Sequence, residues 1–315
     1  MHFLTNIVLI VLIALVLLAL FTAFVARKVT QHFAPTGQFV DVDGERLHYR
    51  SLGQGPALVL VHGLAGQMRN FDYLPLEDLA RRWRVILVDR PGAGLSVRRD
   101  AGKAGIAAQG RLVAQFIRQL ALPQPPLLVG HSLGGAISLS AALQDPEAVA
   151  GLALIAPLTH HVADVPEPFR LLAIRASWLR QLVGRTLATP LAILMRNKTL
   201  ALVFGPEPAP ADFPVRGGGL LGLRPSAFEA SSEDMLAIEQ DLPAQEQRYG
   251  ELRLPVHMLY GDGDQVLDWR VQGEALKAKI PQLELTVMPG GHMLPVTQAA
   301  ATAAWLERVA QATVG

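Results

Sequence analysis

Cysteine is absent from the 315 residues, which excludes a disulfide framework, a thiolate zinc site and a thiol nucleophile. Charge is sparse as well, because Asp, Glu, Lys and Arg make up only 17% of the chain, below the usual quarter. Neither sign dominates: 28 Lys plus Arg stand against 27 Asp plus Glu, a formal net charge of +1. Counterion-driven binding needs a clustered excess of cations, so no nucleic-acid partner is expected. Apolar residues reach 50%, which excludes disorder for most of the chain. No internal repeat is visible. The length suggests two domains, or one large domain with an insertion, and the apolar excess needs a location.

Much of it lies at the amino terminus. Residues 7–26 run from Ile7 through Leu20 to Ala26 with Thr22 as the one hydroxyl, and no charged side chain precedes Arg27. At about 1.5 Å per residue this run spans about 30 Å, the thickness of a bilayer's hydrocarbon core, and reads as a transmembrane helix. A cleaved signal peptide fits less well, since it wants a basic start and small residues at positions −3 and −1. Cleavage after Ala23 or Ala26 would put Phe21 or Phe24 at −3. A retained anchor is therefore expected. Arg27 and Lys28 follow the helix, which by the positive-inside rule puts the bulk of the chain in the cytoplasm, although the preceding tail is too short to weigh much. Ala19 and Ala23 form a small-xxx-small pair, either ordinary apolar filler or a face for a homodimer through this helix.

Beyond the anchor, Phe39–Val42 and Leu47–Ser51 read as strands around the two-residue turn Asp43-Gly44. The runs 57–61, 84–88, 127–129, 151–155, 256–260 and 283–288 are short and nearly continuously apolar, as strands buried on both faces should be. Helical spacing appears over 105–121, 132–143, 270–279 and 296–309. The alternation is that of an open, mostly parallel α/β sheet. From Leu158 to about Leu254 it stops, and a stretch this long reads as an inserted helical cap. Phe169–Leu187 and Leu191–Phe204 are its expected helices, and the Gly- and Pro-rich Gly205–Pro225 is expected to be a mobile connector. The chain thus divides into an anchor and juxtamembrane segment over 1–37, an α/β core from 38–157 plus 255–315, and a cap over 158–254.

The strand at 127–129 leads into Gly130-His131-Ser132-Leu133-Gly134, and a helical pattern follows. This is G-x-S-x-G where a sharp strand-to-helix turn lifts a serine hydroxyl above the sheet. A side chain at Gly130 or Gly134 would crowd the turn. A serine nucleophile needs a base, and the base an orienting acid, on loops after later strands. Gly261-Asp262-Gly263-Asp264 follows one such strand and Gly290-Gly291-His292 the next. Asp262 and Asp264 both remain candidates for the acid.

Together with Val61-His62-Gly63-Leu64 and Asp89-Arg90-Pro91-Gly92-Ala93-Gly94-Leu95-Ser96, these motifs make residues 38–312 resemble the α/β-hydrolase superfamily. The resemblance implies an α/β-hydrolase fold with the catalytic set Ser132, Asp264 and His292, choosing Asp264 over Asp262 and Asp268. It also implies an oxyanion hole from the backbone N–H groups of Leu64 and Leu133, with Gly63 in the first of these loops. His62 and His131 are expected to shape the pocket, and Asp89 and Ser96 to fix their own loop. The adjacent His160 and His161 do not face one site, and neither a metal nor a cofactor is expected.

Serine at 132 argues against the haloalkane dehalogenase and epoxide hydrolase chemistries, which use a carboxylate at this point. The layout is similar to that of membrane-anchored bacterial esterases and phospholipases. It implies a single-pass inner-membrane protein with a periplasmic catalytic domain that cleaves acyl esters, with glycerophospholipids or lysophospholipids as candidates. Membrane lipids are then both surroundings and substrate. A small-molecule carboxylesterase, a carbon–carbon bond hydrolase, an acyltransferase and a non-catalytic receptor remain alternatives. Arg170, Arg175, Arg180, Arg185, Arg196 and Lys198 outnumber Asp164 and Glu167 in the cap, either to favour anionic headgroups or as solvated helix surface.

Overall fold

The computed structural model describes residues 2–162 and 165–315, and Asp164 of the cap's charge balance lies outside them. Eight strands form one sheet in the order β1-β2-β4-β3-β5-β6-β7-β8. They are β1 Gln38–Val42, β2 Glu45–Leu52, β3 Ala57–Val61, β4 Arg84–Val88, β5 Leu127–His131, β6 Gly151–Ile155, β7 Val256–Gly261 and β8 Glu284–Met288. β1 and β2 form an antiparallel hairpin, and β2 meets β4 antiparallel; every other pairing is parallel. Asp43 and Gly44 turn the hairpin with φ of 47° and 80°, the left-handed pair that matches strand twist.

The central strands are apolar throughout because both faces are covered. Their side chains still alternate between two cores. Leu128 packs on one side of the sheet with Val59 and Val61, and Leu127 and Val129 pack on the other with Leu58 and Leu60. Helices Ile106–Gln119 and Leu133–Gln144 contribute to the first core, and Ala299–Thr313 to the second. Between Trp269 and Ile280 the expected helix begins with a wide π-helical turn at Arg270–Glu274 before continuing as Ala275–Lys279.

The cap departs from expectation in three ways. Its first helix is broken into a turn at Glu167–Arg170 and a helix at Ser177–Thr186, which meets Ala188–Phe204 at 72°. A 22-residue helix, Pro225–Glu246, has no counterpart in the sequence reading. Its buried face carries Ser231, Ser232, Asp234 and Gln245 beside Met235, Ile238 and Leu242, so no apolar stripe marks it. Third, the expected connector is built into the cap: it forms a 3₁₀ turn at Gly219–Leu223, and Gly217 O accepts hydrogen bonds from Gln67 Nε2 at 2.6 Å and Asn70 Nδ2 at 2.9 Å.

The amino-terminal helix His2–His32 is long and apolar enough to cross a membrane. It extends beyond the apolar run and docks on the cap. Leu15, Leu18 and Ala19 are half-buried and Thr22 and Val29 buried on one face, and Thr22 Oγ1 donates to Thr186 O at 3.1 Å. Val29 and Phe33 pack on Leu221. Ala19 of the small-residue pair thus lies on the docked face while Ala23 is exposed.

Candidate active site

The site forms where the parallel strands end beneath the cap. β5 terminates at His131, and Ser132 turns the chain with φ 54° and ψ −121° before helix Leu133–Gln144 begins. A non-glycine residue in this region costs on the order of 1–3 kcal/mol and persists only where its surroundings impose it. Here Ser132 N donates to Ile155 O at 3.0 Å, and Ser132 O accepts from Gly135 N at 2.8 Å and Leu158 N at 2.9 Å. The neighbouring strand and helix must come very close, which explains the glycines. A β-carbon at Gly130 would lie 2.5 Å from Gly134 O, one at Gly134 2.2 Å from Val61 O, and one at Gly63 2.8 Å from Ser132 Cβ.

The loops after β7 and β8 supply the other two groups. Asp264, its side chain fully buried, has Oδ2 2.8 Å from His292 Nδ1. Its Oδ1 accepts from Val266 N at 2.8 Å and Leu267 N at 2.9 Å. Three donors therefore converge on one carboxylate. Asp262 instead accepts from Gly290 N at 3.3 Å, and Asp268 from Arg270 N at 2.9 Å. Of the three carboxylates, only Asp264 reaches the imidazole.

Ser132, His292, Leu64 and Leu133 all line a cavity of about 330 Å³. Its walls are mostly apolar: Leu158, Val162 and Phe169 where the cap begins, Leu200 and Val203 from Ala188–Phe204, and Met235 and Ile238 from the long cap helix. Phe213, from the connector, also lines it. Gln67 and Asn70 are polar lining residues that the sequence reading missed. Their mutual capping of the turn Met68–Phe71 is the local signal that marks them.

Two buried histidines frame the site. His131 Nε2 donates to His292 O at 3.0 Å. Burial, with the neighbouring His292, pushes the His131 pKa down to about 3, so its ring is neutral. Burial and the Arg90 cation hold His62 well below the usual imidazole range. His62 Nδ1 donates to Gly63 O at 2.9 Å while Nε2 accepts from the Arg90 backbone N–H at 3.0 Å. Asp89 ties its own loop to two other segments, accepting from Leu95 N at 2.9 Å and Met68 N at 2.8 Å and lying 3.0 Å from His48 Nδ1. Ser96 Oγ donates to Asp89 O at 2.7 Å. His160 is buried on Tyr249 and His161 lines the cavity. Among the described residues no group of three or more His, Cys, Asp or Glu side chains is arranged to hold a metal.

Three of the six cap cations pair with a carboxylate, Arg175 only loosely with Glu239 at 3.8 Å. Arg180 is buried and bonded to Glu233 at 3.0 Å, and Lys198 pairs with Glu167 at 2.5 Å.

Residues 56–299 match the family model described as the alpha/beta hydrolase fold. The chain is 36% identical over 122 residues to the dihydrolipoyllysine-residue acetyltransferase component of the acetoin cleaving system of Cupriavidus necator, covering 38% of this chain and 32% of that one. It is 33% identical over 160 residues to the pimeloyl-[acyl-carrier protein] methyl ester esterase of Shewanella woodyi, covering 49% of this chain and 59% of that one. These matches span less than two thirds of either relative. Among solved structures, a membrane phospholipase A superimposes with a TM-score of 0.69 at 25% identity, covering 99% of this chain and 98% of that one.

Proposed function

The chain belongs to the α/β-hydrolase fold family, and we propose that within it the protein is a membrane-anchored serine hydrolase of acyl esters. The observation that carries this reading is the 2.8 Å contact of His292 Nδ1 with the buried Asp264 Oδ2, His292 lining the same apolar cavity as Ser132. Ser132 attacks the ester carbonyl as His292 takes its proton, and Asp264 orients the imidazole and stabilises its positive charge. The N–H groups of Leu64 and Leu133 bind the oxyanion, helped by the positive end of helix Leu133–Gln144. The protonated His292 then gives its proton to the departing alkoxide. Water, deprotonated by the same histidine, attacks the acyl-enzyme and frees the acid.

For the substrate, we infer a single fatty acyl chain under the cap, as in a lysophospholipid or one chain of a glycerophospholipid. A cavity of about 330 Å³ is small for a ligand pocket, so a diacyl lipid must leave its second chain and headgroup outside. The full-length likeness to a membrane phospholipase A supports the lipid and anchor parts of the reading, with the catalytic domain on the periplasmic face of the inner membrane. The resemblance to an esterase of a carrier-bound methyl ester supports the ester chemistry alone.

Purified protein is expected to hydrolyse p-nitrophenyl esters and release fatty acid from lysophosphatidylcholine. Ser132→Ala should abolish both, together with labelling by a fluorophosphonate. Undiminished labelling of the variant removes Ser132 from the nucleophile's role. Asp264→Asn should keep labelling detectable but lower kcat by about 10³–10⁴-fold; unchanged turnover would return the acid's role to Asp262.

A further inference from the structure

Arg90 carries a guanidinium that none of the proposed catalytic steps requires, and its side chain is only 1% exposed. A cation buried this deeply is held for a reason, since an uncompensated one is strongly destabilising. Two of its side-chain donors point at one loop. Nε donates to His62 O at 3.0 Å, and Nη2 to Gly63 O at 2.8 Å.

Gly63 O matters because the peptide that carries it also carries the N–H of Leu64. The unit is planar and trans, so the two groups point in opposite directions, and a grip on the oxygen aims the N–H. Three donors converge on that oxygen: Arg90 Nη2 at 2.8 Å, His62 Nδ1 at 2.9 Å and Gly66 N at 3.2 Å. A positive charge on the oxygen side also draws electron density from the nitrogen and strengthens the N–H as a donor.

The compensating charge comes from the cap. Arg90 Nη1 donates to Asp234 Oδ2 at 2.7 Å and to Gln109 Oε1 at 2.8 Å. Asp234 lies on the helix Pro225–Glu246, whose Met235 and Ile238 line the acyl cavity. The helix that walls the acyl chain therefore also neutralises the residue behind the oxyanion peptide.

We propose that Arg90 is a positioning residue for the oxyanion hole, clamping the Gly63–Leu64 peptide so that the Leu64 N–H faces the developing oxyanion, with Asp234 of the cap holding Arg90 in that pose. This rests on the serine-hydrolase reading. Arg90→Lys separates the clamp from a plain salt bridge. Lysine keeps the charge and the partner Asp234 but lacks the planar fork needed to reach His62 O, Gly63 O and Asp234 together.

The readouts are kcat and KM with a p-nitrophenyl ester, affinity for an alkylboronic acid, which forms a tetrahedral adduct on the serine, and the thermal midpoint. R90K is expected to melt within a few degrees of the parent, to keep KM within about twofold, and to lose kcat and boronate affinity together by about 10²-fold. D234N, which leaves Arg90 in place, should lose both by about tenfold and in the same ratio. If R90K or D234N retains boronate affinity, or loses kcat only in step with its folded fraction, Arg90 is a structural bridge and the clamp is overturned. If the parent protein neither turns over ester nor binds boronate, the hydrolase reading falls first and this proposal with it.

Discussion

At the scale of single residues, the site depends on how closely backbones approach around Ser132. Gly134 has no room for a methyl group, because the β-carbon would sit 2.2 Å from Val61 O and 2.7 Å from His62 O, both backbone atoms. Gly222, by contrast, has nothing within 4 Å of its hypothetical β-carbon. Gly134→Ala is therefore expected to destabilise the fold by about 1–3 kcal/mol or more, and Gly222→Ala by less than about 0.5 kcal/mol. Urea denaturation of the pair measures the contrast, and equal midpoints would refute it. His131 adds a pH dependence at the same scale. Its folded pKa of about 3 lies below the ordinary imidazole value of 6.5, so between those limits the unfolded chain binds a proton that the folded chain does not. Its contribution to stability is complete above about pH 6.5 and is lost as the pH falls towards 3. His62 acts in the same direction. The urea midpoint should fall on acidification from pH 7 to pH 4, and His131→Gln should flatten that slope. A slope unaltered by the substitution would mean that His131 ionises freely in the fold.

At the scale of elements, what the sequence made legible follows from how each element buries its polar groups. β3, β4 and β6 occupy the expected residues because their short apolar runs are buried on both faces. The elbow was readable because its chemistry is local: one strand end, one turn and one helix start. The helix Pro225–Glu246 was not, because its buried positions include Asp234 and Ser232, whose partners lie far along the chain in Arg90, Arg98 and Leu172, and Ser231, which bonds back to Ala227 O. The connector was misread for a related reason. Its Gly and Pro content speaks of turns but says nothing of Glu207, which accepts from Gly291 N at 3.0 Å and Gln298 Nε2 at 2.9 Å. Glu207 thereby braces the loop that carries His292. Glu207→Ala is expected to lower kcat on the order of tenfold with KM little changed, and Glu207→Gln, which keeps an acceptor, should recover most of the loss. Equal losses in the two variants would point to the charge rather than to bracing.

At the scale of the whole molecule, the amino-terminal helix and the cap form one surface. Leu15, Leu18 and Ala19 lie inside the apolar run and are half-buried against the protein, and Thr22 bonds to Thr186 at the end of helix Ser177–Thr186. If residues 7–26 span a bilayer, the cap element beside them must enter the same layer. The cap is dressed for that environment: Trp178 is 68% exposed and Leu194 79%, with Leu171, Leu182 and Leu191 also exposed. In water such exposed apolar side chains are costly, whereas at a lipid interface they are favourable, and tryptophan prefers that depth. Helix Ala188–Phe204, which carries Leu191 and Leu194, also walls the cavity through Leu200 and Val203, so on the proposed reading an acyl chain would have a short route from lipid to Ser132. The placement can be read optically, because Trp83 and Trp305 are buried, Trp269 is half-buried and Trp178 alone is freely exposed. In vesicles containing brominated phospholipids, the protein's tryptophan emission should be quenched relative to unbrominated vesicles, and Trp178→Phe should remove most of that quenching. Equal quenching in the variant would lift the cap off the membrane and leave the amino-terminal helix as a simple tether. Trp178→Phe together with Leu194→Asp should slow hydrolysis of vesicle-borne lysophospholipid by on the order of tenfold while sparing soluble p-nitrophenyl acetate, since only the first substrate must cross from the bilayer into the cavity.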